Sequence, residues 1–277
     1  MRRRRLIAIL GLILLAAGLW LVIAGFPGEA DTQGAEVSSL TIDSKAVGEE
    51  LPVRVVVPEG AAGEQERPLL VFLHGRDGNE DSELVDEMYS ALADQGARAP
   101  VVAFPYGGEA SYWHDRADGD WGRYVTDEVI PAVEERYDVD ERRLAIGGIS
   151  MGGFGAYDIA AKNPGAFCAV GGHSPAIWQE AGETAAGAFD DAEDFARNDV
   201  IAAANEGVAF DGPKLWLDAG DEDPFIPGDD AMAAALKGSG ADLQRETFPG
   251  GHEGAYWDAH WDDYLGFYAE ALAGCGK

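Results

Sequence analysis

The chain alternates short apolar runs with amphipathic segments over most of its length. The apolar runs predict buried strands at residues 51–57, 69–73, 101–104, 144–149, 167–170, 215–217 and 243–248. Helical spacing predicts helices at 82–97, at 124–137 (where Pro131 must begin or kink the helix), directly after residue 150, and at 261–272. Strands that alternate with helices are typical of an α/β protein with a mostly parallel central sheet and helices on both faces.

The N-terminal segment has a different pattern. Arg2 to Arg5 precede an uninterrupted apolar run from Leu6 to Gly25. Basic residues before an apolar run of bilayer length are typical of an export signal or a membrane anchor. No clean small-residue cleavage site follows, which favours an uncleaved single-span anchor over a cleaved signal. We predict a signal or anchor at 1–26, a linker at 27–38, and one extracytoplasmic domain at 39–277, either anchored by this helix or secreted.

The net charge of the chain limits the partners that it can bind. The formal net charge of −30 repels nucleic acid and anionic lipid, so we predict no nucleic-acid partner and membrane contact only through the N-terminal segment. No protein partner is predicted.

The apolar surroundings of Cys168 favour a buried thiol, and a bridge to Cys275 is the alternative in an oxidising compartment. No CxxC or HExxH pattern occurs, so neither a metal nor a cofactor is predicted.

The most informative motif is Gly148-Ile149-Ser150-Met151-Gly152, which lies between a predicted buried strand and a predicted helix. A strand that turns sharply into a helix with serine at the apex is a nucleophile elbow. The strained turn needs small neighbours, which the glycines at 148 and 152 supply. Ser150 is therefore the predicted nucleophile of an acyl-transfer reaction, and an idle serine in a glycine-rich turn is the alternative.

A serine hydroxyl needs a base within hydrogen-bonding reach. Of the five histidines, His252 is the best candidate, because it lies in a loop between the last predicted strand and the last predicted helix. His114 and His260 lie in aromatic segments, where packing or surface roles are expected.

The base in turn needs a carboxylate that fixes its tautomer. The loop after the predicted strand at 215–217 offers several acids. Asp223, fixed by Pro224, is the preferred candidate. Asp221 is its main rival, and Asp218 can instead brace the loop.

An oxyanion hole requires two preorganised N–H donors. We predict the backbone N–H groups of Met151, directly after the nucleophile, and of Arg76, in the loop after the strand at 69–73. Further side chains in loops after strands are candidates for lining a substrate pocket, with packing over the core as the alternative. They are His74, Tyr112, Trp113, His173 and Trp178.

From about residue 50 to 272 the chain resembles the α/β-hydrolase esterase family that includes S-formylglutathione hydrolases, feruloyl and acetylxylan esterases, enterochelin esterases and mycolyltransferases. The resemblance is carried by Leu-His-Gly at 73–75 and by the segments 121–131, 147–153, 218–225 and 250–257. It implies an α/β-hydrolase fold, here without a large lid, and places the family's triad on Ser150, Asp223 and His252. It says little about the substrate, because one fold hosts many activities.

These inferences predict an extracytoplasmic serine carboxylesterase that hydrolyses small or carbohydrate-linked esters through an acyl-enzyme. Two alternatives remain open. One is an acyltransferase, similar to a mycolyltransferase, that uses a sugar or lipid acceptor. The other is a non-catalytic binding module that has kept the hydrolase scaffold.

Overall fold

The structure is a computed structural model that describes residues 30–60 and 66–275. The predicted signal or anchor at 1–26 lies outside the described residues, as does the start of the predicted linker. Within the described ranges, no helix combines the length and apolar character needed to cross a bilayer. The elements below all belong to one compact unit that begins at Thr32.

The central feature of the described chain is a sheet of eight strands, accompanied by a two-stranded ribbon. The strands are β1 (Glu36–Asp43), β2 (Glu50–Val57), β3 (Arg67–Leu73), β4 (Val101–Pro105), β7 (Val139–Ile149), β8 (Ala169–His173), β9 (Lys214–Gly220) and β10 (Asp242–Phe248), with β5 (Asp115–Arg116) and β6 (Gly119–Asp120) forming the ribbon.

The strand order in the large sheet is β1-β2-β4-β3-β7-β8-β9-β10. The six strands from β4 to β10 in this order run parallel, whereas β1 pairs with β2 and β2 with β4 in antiparallel fashion. The carboxyl ends of β3, β7, β8 and β9 therefore meet at one edge, where ligands of open α/β sheets bind. The predicted mostly parallel sheet of an α/β-hydrolase fold is confirmed.

Helices connect most of these strands. In the described part they are α1 (Asp86–Asp94), α2 (Trp121–Arg123), α3 (Ile130–Arg136), α4 (Met151–Lys162), α5 (Ala192–Arg197), α6 (Val200–Glu206), α7 (Ile226–Ser239), α8 (Gly254–Asp258) and α9 (Trp261–Gly274). A π-helical segment, Tyr124–Val129, joins α2 to α3.

Two glycines in β7 show that α4 and α9 cover opposite faces of the sheet. A Cβ atom on Gly147 would collide with the hydroxyl of Tyr268 in α9, and one on Gly148 would lie 2.5 Å from the carbonyl carbon of Gly152 in α4. Successive strand residues point to opposite faces, so the two helices lie on either side of β7. The absence of side chains lets both approach the sheet closely.

The first strand differs from the sequence prediction. β1 begins at Glu36, inside the segment assigned to a linker at 27–38, so the ordered domain starts before residue 39. β1 is an edge strand, and its residues are exposed or only partly buried, so it lacks the apolar run that marks a buried strand.

Two predicted helices have different bounds. α1 begins at Asp86 rather than at 82, because the Ser82 hydroxyl accepts a hydrogen bond from the Asn79 N–H at 2.8 Å and holds residues 79–82 in a turn. Helical structure begins at Trp121 rather than at 124, and the π-helical segment ends just before Pro131. Proline lacks the N–H that a regular α-turn needs, so the irregularity falls where the sequence places a kink.

Cys168 and Cys275 form a disulfide. The preferred sequence interpretation, a buried free thiol at Cys168, is wrong: the residue is only partly buried and bonded to Cys275, which follows α9. Cys168 precedes β8, so the bridge ties the C-terminal helix to the amino-terminal edge of the sheet. This edge is opposite the one where the loops after β7 and β9 meet.

Candidate active site

Ser150 occupies the apex of the turn between β7 and α4, with φ 53° and ψ −113°. Its left-handed backbone is strained for a residue with a side chain, and it is held by the glycines on either side. A Cβ atom on Gly148 would lie 2.6 Å from the Leu73 carbonyl oxygen, and one on Gly152 would overlap the same oxygen. The motif therefore has glycine at both positions because β3 passes directly beside the turn.

Three side chains from separate loops meet at this turn. The Ser150 Oγ lies 2.7 Å from His252 Nε2, and His252 Nδ1 lies 2.9 Å from Asp223 Oδ2. With the Nδ1 proton donated to the carboxylate, Nε2 is left to accept the serine proton. The arrangement can therefore transfer a proton from the hydroxyl to the imidazole.

The Asp223 carboxylate is buried, 4% exposed, and fully hydrogen-bonded. Its Oδ1 accepts from the Phe225 N–H at 2.8 Å, and its Oδ2 accepts from His252 and from the Ser174 hydroxyl. Burial alone would raise the pKa of Asp223, but the hydrogen bonds from His252, Ser174 and the Phe225 N–H outweigh it and hold the pKa below its usual value. The carboxylate therefore stays charged beside the imidazole.

The sequence did not single out Ser174. It directly follows β8, at the same edge of the sheet as Ser150, and has a left-handed φ of 51°. Its position at the end of a neighbouring parallel strand is the one signal in the sequence that points to it.

Asp221, the rival candidate, and Asp218 accept hydrogen bonds from other groups than the His252 imidazole. Asp221 Oδ1 accepts from the Gly250 N–H at 3.0 Å and so braces the loop that carries His252. Asp218 is fully buried and accepts from three aromatic side chains and one imidazole: Trp216, Tyr256, Tyr264 and His173.

The two predicted oxyanion donors lie next to Ser150. Met151 is the first residue of α4, so its N–H lies at the positive end of the helix dipole. Gly75 is close enough that a Cβ on it would be 3.6 Å from Ser150 Cβ, and Arg76 is the next residue. Among the turns and loops that the structure describes, no backbone hydrogen bond is donated by Met151 or Arg76. Neither N–H is therefore committed to a backbone acceptor in the described turns and loops.

A cavity of about 500 Å³ opens over Ser150 and His252. Of the predicted pocket residues only Tyr112 lines it, together with Arg76 from the oxyanion loop. Phe225 and Trp257 also line it, and both rings lie against His252, with centroids 4.9 and 5.1 Å from the imidazole. Within residues 30–60 and 66–275, no three His, Cys, Asp or Glu side chains are grouped so that they could hold a metal ion.

The prediction that three further residues line the pocket is wrong, because they lie behind its wall. They are His74, Trp113 and Trp178. His74 Nε2 accepts from the Gly107 N–H at 3.0 Å, and burial lowers the pKa of His74 to about 4, so the ring is a neutral support for the oxyanion loop. Trp113 is fully buried and donates to the His74 carbonyl at 3.2 Å. Trp178 packs between Tyr112 and Phe225, with centroid distances of 5.5 and 5.4 Å.

His173 is also absent from the cavity wall. Its ring is fully buried, with Nδ1 2.9 Å from Asp218 Oδ1 and Nε2 2.9 Å from the Tyr268 hydroxyl. Burial lowers the pKa of His173 against the opposing effect of Asp218. The neutral ring therefore links β8 and β9 to α9 instead of contacting a substrate.

The two remaining histidines have the packing roles that their aromatic surroundings suggest. His114 is fully buried against Asp194, at 3.1 Å, and stacks on Phe189. His260 stacks on Phe248, with centroids 4.0 Å apart.

Comparison with known proteins agrees with this geometry. The model of the Esterase family, described as "Putative esterase", matches residues 44–268. Esterase Rv1288 of Mycobacterium tuberculosis (strain ATCC 25618 / H37Rv) is 23% identical over 252 residues, which cover 76% of this chain and 54% of that protein. The chain thus spans about half the length of the curated relatives it matches.

Two solved structures have the same fold. A ferulic acid esterase superposes with a TM-score of 0.75 at 22% identity, covering 86% of this chain and 99% of that one. An S-formylglutathione hydrolase from Agrobacterium tumefaciens superposes with a TM-score of 0.76 at 20% identity, covering 89% of this chain and 99% of that one.

Proposed function

The chain belongs to the Esterase family, and from this premise we propose that it is a serine carboxylesterase with Ser150 as its nucleophile. The observation that carries the proposal is the hydrogen-bonded series from Ser150 through His252 to Asp223. A hydroxyl, an imidazole and a buried carboxylate in this order are the groups that acyl transfer from an ester requires.

In the proposed reaction the Ser150 Oγ attacks the ester carbonyl carbon while His252 Nε2 takes the hydroxyl proton. The oxyanion of the tetrahedral intermediate accepts hydrogen bonds from the Met151 and Arg76 N–H groups. When the intermediate collapses, the bond to the alcohol oxygen breaks and His252 returns the proton to that oxygen. Water then attacks the acyl-enzyme through the same steps and releases the acid. Asp223 remains ionised throughout and stabilises the imidazolium.

The proposed substrates are small or carbohydrate-linked esters. The cavity of about 500 Å³ is of the size that holds a small molecule. The names of the two similar structures, a ferulic acid esterase and an S-formylglutathione hydrolase, support ester or thioester cleavage as the chemistry.

We place the enzyme outside the cytoplasm, anchored by its N-terminal segment or secreted. Two features support this location. The basic and then apolar sequence of residues 2–25 is typical of export, and the disulfide between Cys168 and Cys275 is of a kind that persists in oxidising compartments.

Hydrolysis of p-nitrophenyl acetate by the purified domain, with Ser150→Ala as the control, tests the activity. We expect turnover by the wild type and its loss in the variant. Equal turnover by both would remove Ser150 from the mechanism, and no turnover by either would favour the binding-module alternative. Adding a sugar or lipid alcohol and measuring the new ester formed identifies the acyltransferase alternative.

A further inference from the structure

The wall of the cavity contains three buried polar atoms that have no hydrogen-bond partner. They are Glu83 Oε2, Trp257 Nε1 and Trp261 Nε1. Glu83 is 7% exposed and Trp261 2% exposed. A buried polar group without a partner destabilises the fold, so three of them around one cavity point to a bound molecule that pairs with them.

The three residues come from separate elements. Glu83 lies in the turn before α1, Trp257 lies in α8, and Trp261 is the first residue of α9. None of them has a role in the proposed proton transfer. The three residues therefore meet at one cavity although they belong to different segments of the chain.

The cavity wall contains an apolar group and a polar group of residues. The apolar group includes Phe225 and Tyr112, which both pack on Trp178. The polar group is Glu83, Trp257 and Trp261, and the Trp257 ring stands edge-on to the imidazole. His252 must deliver its proton to the leaving alcohol, so that oxygen lies beside the imidazole. Because the Trp257 ring lies against the imidazole, the polar group begins beside the position of that oxygen.

The charges of the residues in this wall determine which kind of ligand can bind there. Burial raises the pKa of Glu83 to about 8, and the nearby Asp258 carboxylate adds to the effect, so Glu83 is a neutral acid at pH 7. A neutral carboxyl group both donates and accepts a hydrogen bond, and each indole N–H donates one. Asp258 also lines the cavity and repels an anionic ligand, whereas the charge of Asp77 is offset by Arg76 at 3.8 Å.

We infer that Glu83, Trp257 and Trp261 form a subsite for the alcohol portion of the ester, and that this portion is an uncharged polyol carrying at least one hydroxyl besides the esterified one. A hydroxyl both donates and accepts, so it can pair with the carboxyl group and with an indole N–H. An alkyl chain in the same place would leave all three groups unpaired. This inference rests on the proposed esterase function.

A pair of acetates with the same acyl group and the same number of carbons in the alcohol tests it. We compare kcat/KM for glyceryl monoacetate and n-propyl acetate at pH 7, using the wild type, Glu83→Leu, Glu83→Gln and Trp257→Phe. The wild type is expected to prefer the glyceryl ester by about tenfold or more. Glu83→Leu removes most of this preference, because kcat/KM falls more for the glyceryl ester than for n-propyl acetate. Glu83→Gln keeps it, because an amide also donates and accepts, and Trp257→Phe reduces it.

Failure of the subsite and failure of the esterase proposal give different results. Ser150-dependent hydrolysis of both acetates without a preference in the wild type, or an equal loss of both in Glu83→Leu with an unchanged melting temperature, overturns the subsite and leaves the esterase proposal intact. No Ser150-dependent hydrolysis of p-nitrophenyl acetate or of either acetate overturns the proposed function itself.

Discussion

The Ser174 hydroxyl donates a hydrogen bond to the Asp223 oxygen that also accepts the Nδ1 proton of His252. Ser174 follows β8 and Asp223 follows β9, so the bond fixes the carboxylate from the neighbouring loop. The orientation of the imidazole thus depends on a residue that does not itself contact the imidazole.

Removing the Ser174 hydroxyl should therefore weaken catalysis. We expect Ser174→Gly to lower kcat roughly three- to tenfold with little change in KM, because His252 and the Phe225 N–H still hold Asp223. Glycine is the suitable replacement, since φ is 51° at this position and other side chains would add strain. Steady-state kinetics measure the effect, and an unchanged kcat would show that the hydroxyl does not position Asp223.

Asp223 and Asp221 provide a matched pair of substitutions in one loop. Asp223→Asn should lower kcat by about 10³–10⁴, because the imidazole loses the carboxylate that fixes its tautomer. Asp221→Asn replaces the carboxylate that accepts the Gly250 N–H with an amide oxygen, which is a weaker acceptor. This change should lower the melting temperature more than kcat. Kinetics and thermal unfolding of both variants test the assignment. A larger loss of kcat in Asp221→Asn would reverse it.

The Glu83 carboxyl group should make the folded state less stable as the pH rises. Its pKa of about 8 lies above the ordinary value of 4.5, so between these values the folded protein holds a proton that the unfolded chain has lost. Stability therefore falls as the pH rises from about 4.5 to 8 and is independent of this group above that range. We expect Glu83→Gln to melt at a higher temperature than the wild type at pH 8 and at a similar temperature at pH 4.5. An equal difference at both pH values would contradict the neutral carboxyl.

The disulfide should contribute to stability and not to catalysis. It closes a loop across a sequence separation of 107, and loss of such a bridge typically costs about 2–5 kcal/mol. Replacing Cys168 and Cys275 together with serine should lower the melting temperature by on the order of 10 °C. The kcat measured at 25 °C should be retained, because the bridge lies at the sheet edge opposite Ser150. A loss of kcat without a change in stability would contradict this separation.

The parts of the site that follow from local sequence were predictable. The glycines around Ser150 are required by a turn of five residues, and the loops of Asp223 and His252 each follow a recognisable strand. The alternatives Asp218 and Asp221 could be separated only by contacts between loops, which no local pattern encodes.

The remaining features depend on residues that are distant in the chain. Ser174 contacts Asp223 across 49 positions, and Glu83 and Trp261 come from distant parts of the chain and meet at the cavity. His173 has the polarity and strand-end position of a pocket residue, yet its partner Tyr268 covers it from α9. Of the predicted aromatic pocket residues Tyr112 lines the cavity, whereas Trp113 and Trp178 pack under the wall that Tyr112 forms.

Activation of Ser150 by His252 can be measured with a fluorophosphonate, which reacts with activated serines. The intact mass of the protein is recorded after brief exposure to the reagent, and peptide mapping then locates the adduct. We expect a single adduct on the peptide that contains Ser150, formed rapidly by the wild type, much more slowly by His252→Ala and not at all by Ser150→Ala. An adduct at another serine, or labelling of Ser150 at the same rate without His252, would contradict it.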